Sequence, residues 1–224
     1  MVDNVSLGPL AGRTFAAVLF DMDGTLVDST PAVERSWLRW AREFEVELTG
    51  FGTWHGIPAA QIVAIFLPED QREAGARRIE QIETEDTEGV VALPGAADAL
   101  TALASSGRSA IATSCVWDLA RARLRATGLT PPEVLVTADM VRIGKPDPAP
   151  YLLAAQRLGV DPAQCLVVED APAGLTSGLK AGAARLAVTT TYPADQLDAE
   201  AIVPDLAAVR FTVTPDGVQV ASRP

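Results

Sequence analysis

The sequence predicts an α/β protein: a parallel sheet with helices on both faces, interrupted once by an all-helical insertion. Three observations predict it. The apolar run Ala16-Ala17-Val18-Leu19-Phe20 ends abruptly in Asp21-Met22-Asp23-Gly24-Thr25. It is short, carries no helical stripe and lies between polar segments, so it reads as a fully buried strand. From residue 91 onward, short apolar runs alternate with helical patterns, as a parallel sheet with crossover helices requires. Between these parts, residues 29–90 show helical periodicity and no strand.

The elements follow in order. After the first strand, Ser29 or Thr30 can cap a helix with Pro31 at its first position. That helix is expected to run to about Leu48, with Trp37, Trp40, Ala41 and Phe44 forming one packed face. Residues 49–57 hold three glycines, two aromatics and the only histidine, and read as a loop. Pro58 to Leu67 and Glu69 to Glu88 are two further helical stretches, the second highly charged. Strand–helix alternation then resumes: a helix from Leu93-Pro94-Gly95 to about Ser105, a strand at Ser109–Ser114, and a helix from Trp117 to Thr127. A strand at Val134–Val136 follows, then a helix capped by Asp147 and stopped at Gly159. Next come a strand at Cys165–Asp170, a helix from Pro172 to Ala181 and a strand at Arg185–Thr190. Ala201–Val203 reads as one more short strand, and Phe211 to Val220 as a hairpin around Pro215-Asp216-Gly217. The division is a core of residues 1–28 and 91–224 with an inserted helical unit of residues 29–90.

Composition narrows the function. The chain has 224 residues, 48% hydrophobic and 21% charged, with a formal net charge of -11. This is the composition of a globular domain, and its acidic surface argues against nucleic acid and anionic membranes as partners. No apolar run reaches the ~20 residues of a membrane span. The first residues lack the regions of a secretory signal. Cys115 and Cys165 make no disulfide framework and read as small core residues. A cytoplasmic protein is expected, monomeric or weakly dimeric.

The chemistry gathers beyond the carboxyl ends of parallel strands. Asp21 and Asp23 fall at such an end and face the same way if the extended geometry persists. Two crowded carboxylates repel unless a cation or shared proton relieves them, and a hard divalent ion such as Mg²⁺ is the simplest relief. Asp-X-Asp-Gly is also ordinary turn chemistry. A calcium loop would need Glu at its twelfth position, where this chain has Ala32. Three further polar clusters sit at strand ends or helix starts: Thr113-Ser114, Lys145 in Gly144-Lys145-Pro146-Asp147, and Glu169-Asp170. Each alone has an ordinary reading as a cap, a solvated charge or a surface acid pair. A parallel sheet, however, sends all its carboxyl ends to one side.

In that order, Asp21-Met22-Asp23-Gly24-Thr25, Thr113-Ser114, Lys145 and Glu169-Asp170 resemble the motifs of the haloacid dehalogenase superfamily, in particular its phosphatases and phosphomutases. The resemblance covers nearly the whole chain. It implies a Rossmann-like core, and residues 29–90 look like the family's helical (type 1) cap. It also implies an Mg²⁺-dependent phosphomonoester hydrolase working through an aspartyl-phosphate. In that scheme Asp21 is the nucleophile and Asp23 the acid and base. Thr113, Ser114 and Lys145 hold the phosphoryl group. The Asp21 carboxylate, the Asp23 carbonyl and Asp170 hold the metal, with Glu169 as a ligand or just behind it.

Gly52-Thr53-Trp54-His55-Gly56-Ile57-Pro58 looks like the His-Gly-X-Pro stretch of the family's sugar- and polyol-phosphate phosphatases. His55 then either bonds substrate hydroxyls or caps the helix starting near Pro58, and Trp54 either shields the site or packs the cap. The implied partner is a small phosphorylated metabolite. The rival readings are a β-phosphoglucomutase-type mutase, a phosphoglycolate phosphatase with Arg35, Arg39 or Arg42 reading a carboxylate, and a non-catalytic phosphate-binding protein.

Overall fold

The computed structural model describes residues 6–48 and 58–223. The first part holds β1 (Thr14–Phe15), β2 (Ala17–Phe20), β3 (Val27–Asp28), α1 (Thr30–Glu43), α2 (Ala59–Phe66), α3 (Glu69–Glu85) and β4 (Val91–Ala92). There follow α4 (Ala96–Leu103), β5 (Ser109–Ala112), α5 (Trp117–Thr127), β6 (Val134–Val136), α6 (Ala149–Leu158) and β7 (Cys165–Glu169). The last part holds α7 (Pro172–Lys180), β8 (Ala184–Val188), β9 (Ala201–Val203), β10 (Val209–Thr214) and β11 (Gly217–Ser222).

The main sheet runs β6-β5-β2-β7-β8-β9, with every pair parallel. The chain starts at β2, moves outward to β6, then crosses β2 and continues from β7 to β9. The switch in direction falls at β2. All four residues of β2 are buried, because helices cover both faces of a parallel sheet. Alternate residues feed the two faces. Val18, Phe20, Ile111 and Val168 join one apolar cluster. Leu19, Ala110, Ala112 and Val167 join another, with Tyr151 and Ala154 of α6.

The helices α1 to α3 form a separate apolar cluster of Trp37, Trp40, Ile62, Val63, Ile79 and Ile82. Trp40 is fully buried, and its indole N–H donates to the Gly75 carbonyl at 2.9 Å. The anticipated face of Trp37, Trp40, Ala41 and Phe44 is therefore a packing face. Where the chain enters and leaves this unit, β3 and β4 pair antiparallel, Val27 opposite Ala92 and Asp28 opposite Val91. The sequence reading did not contain this ladder, since two-residue strands carry no periodicity.

Other differences have local causes. Helix α1 stops at Glu43, short of Leu48, because Glu45 takes a positive φ of 54° and the Val46 N–H turns back to the Ala41 carbonyl at 3.0 Å. Ser29 precedes α1 but its side chain does not cap it; its hydroxyl is drawn to Asp23. Helix α3 ends at Glu85, β5 at Ala112 and β7 at Glu169. The Pro-Asp-Gly hairpin forms as β10 and β11. It recruits β1 into a three-stranded antiparallel sheet, and Phe211 packs edge-on against Phe20 with centroids 5.6 Å apart.

Candidate active site

The register of the sheet brings the polar segments level. Phe20 lies opposite Ile111 of β5 and Val168 of β7. One step further along, Asp21 therefore falls beside the end of β5 and Glu169. Thr113 and Ser114 follow β5, and Asp170 follows β7. Gly24 turns the chain away from the sheet with φ +87°, and a Cβ there would lie 2.0 Å from an Asp170 carboxylate oxygen. Close approach therefore demands glycine.

Lys145 is fully buried. Its ammonium donates to Asp21 Oδ1 at 2.5 Å and to Glu169 Oε1 at 2.6 Å. It also lies 4.9 Å above the Tyr151 ring. Glu169 is held from every side: the Tyr151 hydroxyl donates to Oε1 at 2.9 Å, and the Asp170 and Ala171 N–H groups donate to Oε2 at 3.0 and 3.1 Å. The Thr25 hydroxyl donates to Asp170 Oδ1 at 3.4 Å. The Thr113 hydroxyl accepts the Cys115 N–H at 3.1 Å.

Buried Asp21, Glu169 and Asp170 present oxygens within 4.8 Å of one another. Burial and the neighbouring carboxylates raise the Asp21 pKa to about 7 against the pull of Lys145. Asp170 is pushed well above the usual carboxylate range, first by burial and then by Glu169 and Asp21. Lys145 is held charged, as Asp21 and Glu169 outweigh its burial. One ammonium cannot balance three carboxylates once all of them are ionised, so the site holds either protons or a further cation. An all-oxygen donor set of this kind fits a hard divalent cation.

Asp23 has different partners. Its carboxylate accepts from Arg123 Nη1 at 2.8 Å and Ser29 Oγ at 2.7 Å on Oδ1, and from the Cys115 thiol at 3.1 Å on Oδ2. Arg123 is only 4% exposed, and its other nitrogen, Nη2, reaches Glu83 Oε1 of α3 at 3.3 Å. Burial raises the Glu83 pKa to about 7, a rise that Arg123 opposes. Asp23 thus lies outside the three-carboxylate cluster, and Cys115, read from sequence as a plain core residue, also makes polar contacts. The sequence reading missed Arg123, Glu83, Ser29 and Tyr151 as site residues. Arg123 left a signal: it falls on the same helical face as Leu119 and Ala120, where an apolar residue is the rule.

Asp21, Asp23, Thr113, Ser114 and Arg123 line one cavity of about 660 Å³ whose far wall comes from α1, α2 and α3. That volume suits a small ligand. Trp54 and His55 lie outside the described residues. Arg35 and Arg39 pair with Asp86 and Glu43 on the outer face of the insertion, and neither they nor Arg42 line the cavity. Among the described residues no helix is long and apolar enough to cross a membrane.

The family model described as haloacid dehalogenase-like hydrolase matches residues 15–182. Hexitol phosphatase A of Escherichia coli is 44% identical over 207 residues, covering 89% of this chain and 95% of that protein. Glycerol-1-phosphate phosphohydrolase 2 of Saccharomyces cerevisiae is 33% identical over 202 residues, covering 84% and 80%. Among solved structures, a hydrolase from Pseudomonas syringae superposes with a TM-score of 0.77 at 26% identity, covering 86% of this chain and 94% of that one.

Proposed function

The chain belongs to the haloacid dehalogenase-like hydrolases, and from that membership we propose that it hydrolyses the phosphate monoester of a small sugar or polyol with Mg²⁺ as cofactor. The observation that carries this reading is the buried cluster of Asp21, Glu169 and Asp170, with Lys145 bonded to the first two. The substrate class rests on similarity to the hexitol and glycerol phosphatases.

The chemistry divides into two displacements. Asp21 attacks phosphorus, and the ester P–O bond breaks as the aspartyl-phosphate forms. Asp23 gives its proton to the departing alkoxide, then takes one from the water that attacks the aspartyl-phosphate, releasing inorganic phosphate and restoring Asp21. Lys145, the Thr113 hydroxyl and Ser114 hold the phosphoryl oxygens. A bound Mg²⁺, held by Asp21, Asp170 and the Asp23 carbonyl, would offset the repulsion between carboxylate and phosphate and stabilise the developing charge. We assign Glu169 to fixing Lys145 rather than to the ion, because its two oxygens are already taken by Lys145, Tyr151 and two backbone N–H groups. Residues 29–90 serve as the cap over a core of residues 1–28 and 91–224. With Cys115 and Cys165 both free and buried, we place the enzyme in the cytoplasm.

The test is release of inorganic phosphate from a panel of sugar, polyol and two-carbon acid phosphates, with Mg²⁺ and with EDTA. Turnover of the polyol esters without a bisphosphate primer, lost in EDTA, is the expected result. No turnover of any ester by folded protein would overturn the proposal.

A further inference from the structure

We propose that Arg123 is a positioning residue that ties the acid–base carboxylate Asp23 to the seated helical cap. The inference rests on Asp23 having that role. One guanidinium, almost without solvent, joins side chains from two parts of the molecule: Nη1 donates to Asp23 Oδ1 at 2.8 Å in the core, and Nη2 donates to Glu83 Oε1 at 3.3 Å on α3 of the cap. Glu83 is itself buried. The guanidinium fork is planar, so fixing one arm on Glu83 restricts where the other arm can hold Asp23. The same Nη1 lies 3.1 Å from the Cys115 sulfur, whose thiol donates to Asp23 Oδ2, while Ser29 donates to Oδ1. Ser29 immediately precedes the first cap helix. Two of the groups that aim the carboxylate at the leaving oxygen, Arg123 and Ser29, are therefore bonded to the cap or adjoin it.

A leaving group that needs no proton separates positioning of Asp23 from general structural damage. 4-Nitrophenolate departs unprotonated; an alkoxide does not. The experiment compares kcat/KM for the polyol phosphate of the panel that wild type turns over fastest and for 4-nitrophenyl phosphate, with Mg²⁺, in wild type, Arg123→Lys, Arg123→Met, Glu83→Gln and the double variant Arg123→Met/Glu83→Gln. Arg123→Met is expected to lower the alkyl value at least about tenfold more than the aryl value, a fraction of what a general acid contributes. Arg123→Lys and Glu83→Gln are expected to show the same selectivity to a smaller degree. Should Arg123→Met fail to fold, these two milder variants carry the comparison.

The double variant removes the stranded Glu83 charge and is expected not to recover the alkyl value. Equal losses on both esters, or recovery in the double variant, would overturn the inference, since Arg123 would then only neutralise Glu83. If wild type hydrolyses no ester of the panel, the functional reading itself falls, and the inference with it. Turnover by wild type with unselective variants removes the inference alone.

Discussion

Lys145 shows how much chemistry a single buried charge organises. A lysine almost never sits in a dry interior unless it is paired, and here two carboxylates share it, Asp21 and Glu169. Glu169 in turn depends on Gly174, where a Cβ would fall 1.6 Å from Glu169 Oε1. Gly174→Ala must therefore displace Glu169 and release Lys145. It is expected to lower kcat by at least about tenfold and to reduce the melting temperature. Gly178→Ala, on the same helix with its nearest contact at 3.1 Å, is expected to do much less; steady-state kinetics and thermal melts of the pair check this. Asp21→Asn removes the proposed nucleophile and is expected to cost three orders of magnitude or more in kcat, roughly as nucleophile deletions do elsewhere. Its fold is expected to be retained, because the variant also relieves a crowded buried carboxylate. Residual turnover near wild type would contradict the assigned role of Asp21.

At the scale of elements, the cap is held by its tryptophans rather than by its ion pairs. Trp40 packs at 5.2 Å from Trp37 and 4.9 Å from Phe44 between ring centroids, besides its hydrogen bond to Gly75. Trp40→Ala is expected to cost about 3–5 kcal/mol, the range for a buried large-to-small change, and to raise KM by loosening the cavity wall. Arg35→Ala breaks an exposed pair with Asp86 and is expected to leave the denaturation midpoint nearly unchanged. Chemical denaturation of both variants decides between the two accounts. The β3–β4 ladder is the other device at this scale. It holds the two strands linking cap and core side by side, so cap motion must pass through a short paired stem.

For the whole molecule, charge and pH are linked through the site. A carboxyl whose folded pKa lies above its unfolded value binds its proton more tightly when folded. Metal-free protein therefore draws stability from Asp21 at low pH and loses it as pH rises from the ordinary 3.8 toward about 7; Asp170 acts in the same direction. A divalent ion competes with those protons. The proposed Mg²⁺, at a hundred times its dissociation constant, would contribute about 2.7 kcal/mol, which for a chain of this size would raise Tm by roughly 5–10 °C. That rise is expected at pH 8 and much reduced at pH 5.5. Calorimetric scans with Mg²⁺ and with EDTA at the two pH values measure it; a pH-independent shift would show that the ion does not replace these protons.

Much of this architecture was legible in the chain, and the boundary of what was legible is physical. Apolar runs, glycines and prolines act over a few residues, so the helices, the insertion and all but the two-residue strands could be read directly. The parallel order then implied that Asp21, Thr113, Lys145 and Glu169 share an edge. What only the folded molecule decided was partnership. Arg121, Arg123 and Arg125 look alike along the sequence, but the turn of α5 exposes the outer two and buries the middle one between Asp23 and Glu83. Likewise Ser29, a helix cap by its place in the sequence, bonds the Asp23 carboxylate instead of the helix backbone. Local pattern sets which elements form; side-chain pairing depends on distances between residues far apart in the chain, and those exist only once the sheet and the cap have been packed together.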